Sequence, residues 1–281
     1  MISSKMLSSV TFLYLLCTVL YLNYLAFRLP RLGKIATTLT WATLLLHMAA
    51  ILLRWAESYD MGMGHAPLSN MYESLVFFSW CIAALYVLLE WKLKSKVIGA
   101  FAIPFAFLFI AYASLAPGVS DRIDPLIPAL QSNWLHAHVI TCFLSYAAFA
   151  LSCGMSAMYL IKRRKKEQGQ AEAGWIALFP PLDSLDELIY KTIAFGFPLL
   201  TLGIVTGAAW ANYAWGSYWS WDPKETWSLI TWFIYAIFLH ARFARGWRGK
   251  GTAALSIIGF GAVVFTYFGV NYVLSGLHSY A

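Results

Sequence analysis

Residues 97–116 read VIGAFAIPFAFLFIAYASLA, an unbroken run without Asp, Glu, Lys or Arg. About 20 apolar residues of helix cross the hydrocarbon core of a bilayer, so this stretch alone predicts a transmembrane span. Outward from it, seven more stretches meet the same requirement: roughly 7–27, 35–53, 71–91, 134–161, 191–211, 226–244 and 252–272. Composition excludes a soluble chain. Hydrophobic residues make up 60% and charged residues 12% of the 281 positions, against roughly 45–50% and about 25% in soluble domains. The expected fold is an all-α polytopic membrane protein of about eight transmembrane helices. It forms a single integral-membrane domain over 1–281, with spans 1–4 within 1–133 and spans 5–8 within 134–281. The first span lacks a small-residue cleavage site and reads as retained, not as a signal peptide.

The net charge of +7 is distributed unevenly. Sixteen of the twenty Lys and Arg lie in or at the edges of the loops after spans 1, 3, 5 and 7. By the positive-inside rule those loops, including Lys162–Lys166, face the cytoplasm and both termini lie outside. The stretch Trp175–Tyr190, with Leu182, Leu185, Leu188 and Ile189 set among Asp183, Asp186 and Glu187, reads as a short interfacial helix. Cys17, Cys81, Cys142 and Cys153 lie in apolar stretches with no CxxC pair, which argues against a disulfide framework, a zinc site or a redox dithiol.

The informative loops are the outer ones. Residues 54–74 run RWAESYDMGMGHAPLSNMYES and residues 212–227 run NYAWGSYWSWDPKETW. Asn70 with Glu73, and Asp222 with Glu225, fit capping boxes, and Pro223 stands at the first helical position of the second. Capping alone would account for Asp222 and Glu225. Six of the thirteen tryptophans, Trp210, Trp215, Trp219, Trp221, Trp227 and Trp232, fall within 23 positions. An interfacial belt places one or two per helix end. Four between Trp215 and Trp227 better fit a platform for a large, flat, apolar ligand.

Histidine placement narrows the ligand class. His138 lies near the outer end of span 5 and His278 follows span 8 on the same side. His240 lies on span 7, about 21 Å from its outer end by helix rise, and His47 lies in the outer half of span 2. Ionisable residues inside a span are functional candidates by default, although each also admits a packing role. Neutral imidazoles are good axial ligands for haem iron. His136 lies about 200° round the helix from His138, so the two cannot face one iron. His65, in the outer loop, is a weaker candidate.

The run WGSYWSWDPKETWSLITWFIYAIFLHAR (215–242) resembles the tryptophan-rich WWD signature of the haem-handling cytochrome c assembly proteins. HAPLSNMYES (65–74), WLHAHVITCFLSYAAFAL (134–151) and GVNYVLSGLHSYA (269–281) are similar to their CcsA/ResC branch. The resemblance implies a membrane cytochrome c synthetase, in the cell (inner) membrane or a thylakoid, that handles haem b. It would present the haem and attach it covalently to the CxxCH segment of apocytochrome c, on the outer side and with a CcsB/ResB-type partner. It assigns the axial ligands to His138, His278 and the intramembrane His240, which in the family pairs with a histidine of the partner; His47 is the alternative within this chain. It assigns the cradle to Trp215, Trp219, Trp221, Asp222 and Trp227. Lys224 or Arg122 would meet the propionates, or serve only as surface charges. Neither a nucleophile nor an acid–base dyad is expected. Two other readings stand beside this one: a CcmC-like haem chaperone without ligase activity, and a quinol-type cytochrome b.

Overall fold

The computed structural model describes residues 1–169 and 174–274, and His278 lies outside the described residues. The elements are α1 (Ile2–Phe27), α2 (Pro30–Asp60), α3 (Met71–Leu93), α4 (Gly99–Leu115), α5 (Asn133–Glu167), α6 (Leu182–Trp215), α7 (Pro223–Arg245), α8 (Lys250–Val264) and α9 (Val270–Val273). The segment Phe265–Gly269 joins α8 to α9 as a π-helical turn. Eight helical segments among the described residues are long and apolar enough to span a membrane, α8 counting through Val273. The protein is an all-α multi-pass membrane protein.

Most of the helices extend beyond the apolar stretches that predict them, while α4 lies within its stretch. α1 stops at Arg28, which takes a left-handed conformation and returns its N–H to Tyr24 O; Pro30 then opens α2. Gly216 and Gly246 close α6 and α7 in the same left-handed region, which a side chain would disfavour. One element differs from expectation. Trp175–Tyr190 is not a separate interfacial helix: after a 3₁₀ turn at Gly174–Leu178, α6 begins at Leu182 and continues unbroken through Lys191 into the span. The reason is Asp186. It does not face water but is buried, pairs with Arg242 of α7 and accepts the Gly249 N–H at 2.8 Å. Those bonds tie the first turns of α6 to the bundle.

The chain divides into two compact units, Met1–Leu126 with Lys162–Pro180, and Ile127–Ile161 with Pro181–Ala281. The first is built on α1–α4 around Leu7, Tyr14, Tyr21, Phe78 and Tyr86, all buried. Several of its interior polar groups are paired: Glu90 accepts from Tyr86 (2.8 Å), Thr37 (2.7 Å) and Lys96 (3.2 Å). Arg54 of α2 and Glu73 of α3, each 1% exposed, form an ion pair at 2.8 Å. His47 is buried there with Tyr14 Oη 3.3 Å from its Nδ1. The second unit, built on α5–α9, carries the tryptophan-rich loop.

Candidate functional site

His138 is seated on α5 by the absence of side chains on α6. A Cβ at Gly207 would lie 2.6 Å from His138 Nδ1, and one at Gly203 would lie 2.5 Å from Cys142 Sγ. Gly203 and Gly207, one helical turn apart, therefore let α5 and α6 meet at this point. The close approach brings His138 Nδ1 to 2.7 Å from Gly203 O. A carbonyl only accepts, so Nδ1 donates and the lone pair resides on Nε2. That is the tautomer an iron-ligating imidazole needs, with its other nitrogen oriented by a backbone carbonyl. His136, two residues earlier, is half-buried.

Aromatic rings continue from His138. Its ring stacks on Trp210, centroids 6.0 Å apart and planes 20° from parallel, and Trp210 meets Trp215 edge-on at 5.1 Å. Trp210 is itself held, its Nε1–H donating to Ala129 O at 2.7 Å. Trp219 and Trp221 meet edge-on at 5.7 Å, and Trp227 lies against Phe265 at 4.2 Å. Trp232 points elsewhere, against Phe197 and with its Nε1–H on Thr201.

The loop is held by the predicted capping box. The Asp222 side chain accepts from the Lys224 N–H at 3.2 Å, while Glu225 Oε2 accepts from the N–H groups of Asp222 (3.2 Å) and Ser220 (2.8 Å). Glu225 thereby fixes the two residues flanking Trp221. Trp221 has φ +60°, in the left-handed region, and is 68% exposed. Such a conformation costs a non-glycine residue on the order of 1–3 kcal/mol and persists only where the surroundings impose it. The capping box imposes it, and so holds a large indole outward. Asp222 is buried at the helix start, which makes it a support of the loop. Ser217 Oγ adds a bond to Trp219 O at 3.0 Å.

Beneath the loop lies a polar pair that the sequence reading did not identify as such. Lys224 Nζ donates to Asn271 Oδ1 at 3.0 Å, and Asn271 is 8% exposed. Asp222 and Cys142 lie within electrostatic range of the Lys224 ammonium, and Cys142 Sγ is 3.7 Å from His138 Nδ1. The available signal was Asn271 itself, the one amide in the apolar run GVNYVL.

The remaining candidates lie elsewhere. His240 is exposed on α7 and lines a shallow groove of about 370 Å³ with Trp232, Phe233, Ile237, Arg245 and Trp247. His65 is buried in the first unit, its ring nitrogens 3.1 Å from Ala66 O and 3.0 Å from Asp124 O; the nitrogen that carries the proton ties the loop before α3 by donating to one of these carbonyls. Arg122 contributes its carbonyl, accepting from Arg54 at 3.1 Å and Asn70 at 3.3 Å, and its side chain is exposed. The Asn70 cap is only half the expected box. Asn70 accepts the Glu73 N–H at 2.9 Å, but Glu73 is engaged by Arg54 and Ser69 instead of returning to Asn70.

The sequence pattern that defines the cytochrome c assembly protein family matches residues 68–278. The chain is 41% identical to the cytochrome c biogenesis protein CcsA of Pyropia yezoensis, over 95% of this chain and 93% of that one. It is 39% identical to CcsA of Synechococcus elongatus over 98% and 96%, and 37% identical to CcsA of Gloeobacter violaceus over 95% and 92%. Among solved structures, the cytochrome c haem lyase CcmF superposes with a TM-score of 0.71 at 21% identity. That match covers 95% of this chain and 46% of CcmF, so it speaks to the fold. With that breadth of similarity, this chain belongs to the cytochrome c assembly protein family and is of the CcsA type.

Proposed function

We propose that this protein presents haem b on the outer side of the membrane and, with a CcsB/ResB-type partner, attaches it covalently to the CxxCH segment of apocytochrome c. In this reading both termini and the tryptophan loop face outward, in a bacterial inner membrane or a thylakoid. His138 and His278 are the axial ligands. Trp215, Trp219, Trp221 and Trp227 cradle the macrocycle, and Asp222 holds the loop. His240 serves an earlier station deeper in the membrane.

The observation that carries the reading is the seat of His138. Its tautomer leaves Nε2 as the ligating nitrogen, and the ring is clamped by Gly207, Gly203 O and Trp210. Each client thiol adds its sulfur and its hydrogen across one vinyl double bond, so electrons are neither supplied nor removed. Bringing two such groups together in a fixed orientation lowers an entropic barrier of several kcal/mol, about 7–11 kcal/mol in the best intramolecular cases. The protein's contribution is therefore orientation: an imidazole fixed on one helix and indoles fixed by a cap. The client's own histidine displaces one axial ligand as product leaves.

Co-expression with a partner and a CxxCH client tests the reading. Thioether-linked haem in the client is the expected product, lost in His138→Ala. Haem bound without any covalent product in the presence of the partner would instead favour a haem chaperone. Labelling of a cysteine placed at Ser217, but not at Gln168, from outside intact cells is the expected orientation. His240→Gln, which keeps a hydrogen-bonding group but ligates iron poorly, should reduce maturation in cells; full activity would remove the inner station.

A further inference from the structure

Three residues of α6 meet α5 along one stripe. Gly207 and Trp210 follow Gly203 by four and seven positions, so helix periodicity keeps all three within about 60° of one another. The two glycines leave a slot, and the His138 ring lies in it, against Gly207 and with Nδ1 on the Gly203 carbonyl. Trp210, 4% exposed, closes the slot at the end nearer the tryptophan loop.

The indole uses different parts of itself for different partners. Its ring stacks on His138, with planes 20° from parallel, and meets Trp215 edge-on with centroids 5.1 Å apart. Its Nε1–H is engaged elsewhere, donating to Ala129 O at 2.7 Å. Ala129 belongs to the 3₁₀ turn Pro128–Leu130 that precedes α5. Tyr213 ties the same segment by donating its hydroxyl to Gln131 O at 3.1 Å. The N–H thus secures the indole to the chain before α5, and the ring system touches both a candidate ligand and a candidate cradle residue.

These contacts divide the control of His138. A hydrogen bond at Nδ1 fixes the tautomer and one atom of the imidazole, but lets the ring rock about that bond. A stacked ring fixes the plane. The Nε2 lone pair lies in that plane, so the plane sets the line on which an iron is bound.

We propose that Trp210 is a positioning residue of the outer site: it sets the plane of the His138 imidazole and registers it against Trp215 of the cradle. The inference rests on the outer-site reading given above and adds the group that joins its ligand to its platform. Trp210 is buried where Trp221 is exposed, so it acts through its two neighbours and not on the haem. With one indole behind both, the line to the iron and the position of the platform are fixed together. Thioether formation at one edge of the macrocycle requires that joint orientation.

The separable parts of the indole supply the test. Trp210→Phe keeps an aromatic face and loses the Nε1–H, whereas Trp210→Leu loses both. The full chain and each variant would be purified with the partner into nanodiscs and loaded with ferric haem. Electron paramagnetic resonance would report the orientation of the axial imidazole plane, and thermal unfolding the stability. The outer-site signal is the one that His138→Ala removes. Both variants should lower Tm by a similar amount, through the lost bond to Ala129 O. Only Trp210→Leu should broaden or shift the outer-site signal. Only there should kcat for client attachment fall, by about tenfold or more, with KM for the client unchanged. Trp210→Met, closer to the indole in volume and equally without a plane, should behave as Trp210→Leu and replaces it if that variant does not accumulate. A wild-type signal and rate in the Leu or Met variant overturns the proposal. So does the same spectral change in Trp210→Phe, because the bond to Ala129 and not the stacked plane would then orient His138. Failure of the outer-site reading itself looks different: His138→Ala would then remove no signal.

Discussion

Two helix starts in this protein share one local grammar, and the fold uses them in opposite ways. Asn70–Glu73 opens α3 and Asp222–Glu225 opens α7. In the first, Glu73 is drawn 1% exposed into an ion pair with Arg54, and its cap residue Asn70 also reaches Arg122 O. Nearby, His65 places its ring nitrogens against two carbonyls. The Glu73 carboxylate is taken up by a distant side chain, although Arg54 Nη1 is left without a hydrogen bond. In the second, Glu225 stays at the loop and binds the backbone around Trp221, holding an exposed indole at φ +60°. Below it Asn271 keeps an unmatched amide. One glutamate is used to join two helices and the other to hold a loop backbone with its ring turned outward.

The largest expected effect contrasts the histidines. His138→Ala should abolish client attachment while protein level stays near normal, whereas His65→Ala should lower protein level and leave haem per surviving molecule unchanged. Immunoblots paired with haem staining of the client separate the two, and His136→Ala serves as a near-silent control. If His65→Ala alone emptied the outer site of an otherwise stable protein, the contrast between the two loops would be wrong.

Next come the two glutamates. Glu73→Gln leaves the buried Arg54 charge uncompensated, a class of change that costs about 3–5 kcal/mol. Glu225→Gln keeps the capping geometry with a neutral group, and should cost about 1 kcal/mol or less. Thermal unfolding of the two variants in the same detergent would show a clearly larger drop in Tm for the first. Similar drops would mean that both helix starts are structural in the same sense.

A smaller effect is expected at the platform. Trp219→Phe with Trp221→Phe keeps interfacial character but reduces stacking area, so haem affinity should fall by up to about tenfold, in line with about 0.5–1.5 kcal/mol per aromatic pair. Membrane insertion should be unchanged; loss of protein with normal haem per molecule would restore the belt interpretation. The smallest concerns Trp221 alone. Glycine tolerates its left-handed backbone, so Trp221→Gly should raise stability by about 1 kcal/mol or less while weakening haem binding. A destabilised variant would show that the indole, and not the capping box, holds the loop.

Much of the arrangement was legible in the linear chain. The apolar runs located eight spans because a bilayer requires about 20 such residues each, and the Asp222–Glu225 box follows from local spacing. Histidine types and the crowding of tryptophans pointed to the candidate site for the same reason: residue chemistry is carried by identity. Segments where local patterns compete with distant partners were not legible. Trp175–Tyr190 has the composition of an interfacial helix, yet Asp186 finds Arg242 and Gly249 and the helix continues. Asn70–Glu73 has the spelling of a reciprocal box, yet Arg54 takes the carboxylate. The Lys224–Asn271 pair joins residues 47 positions apart through a π turn that no periodicity announces. The sequence by itself determined the spans and the Asp222–Glu225 cap, because each depends on residues a few positions apart. Only the tertiary structure decided which nitrogen of His138 faces the Gly203 carbonyl, which carboxylate is buried and which amide nitrogen is left without a partner, because a hydrogen bond is settled by whichever donor and acceptor the packed helices bring within reach.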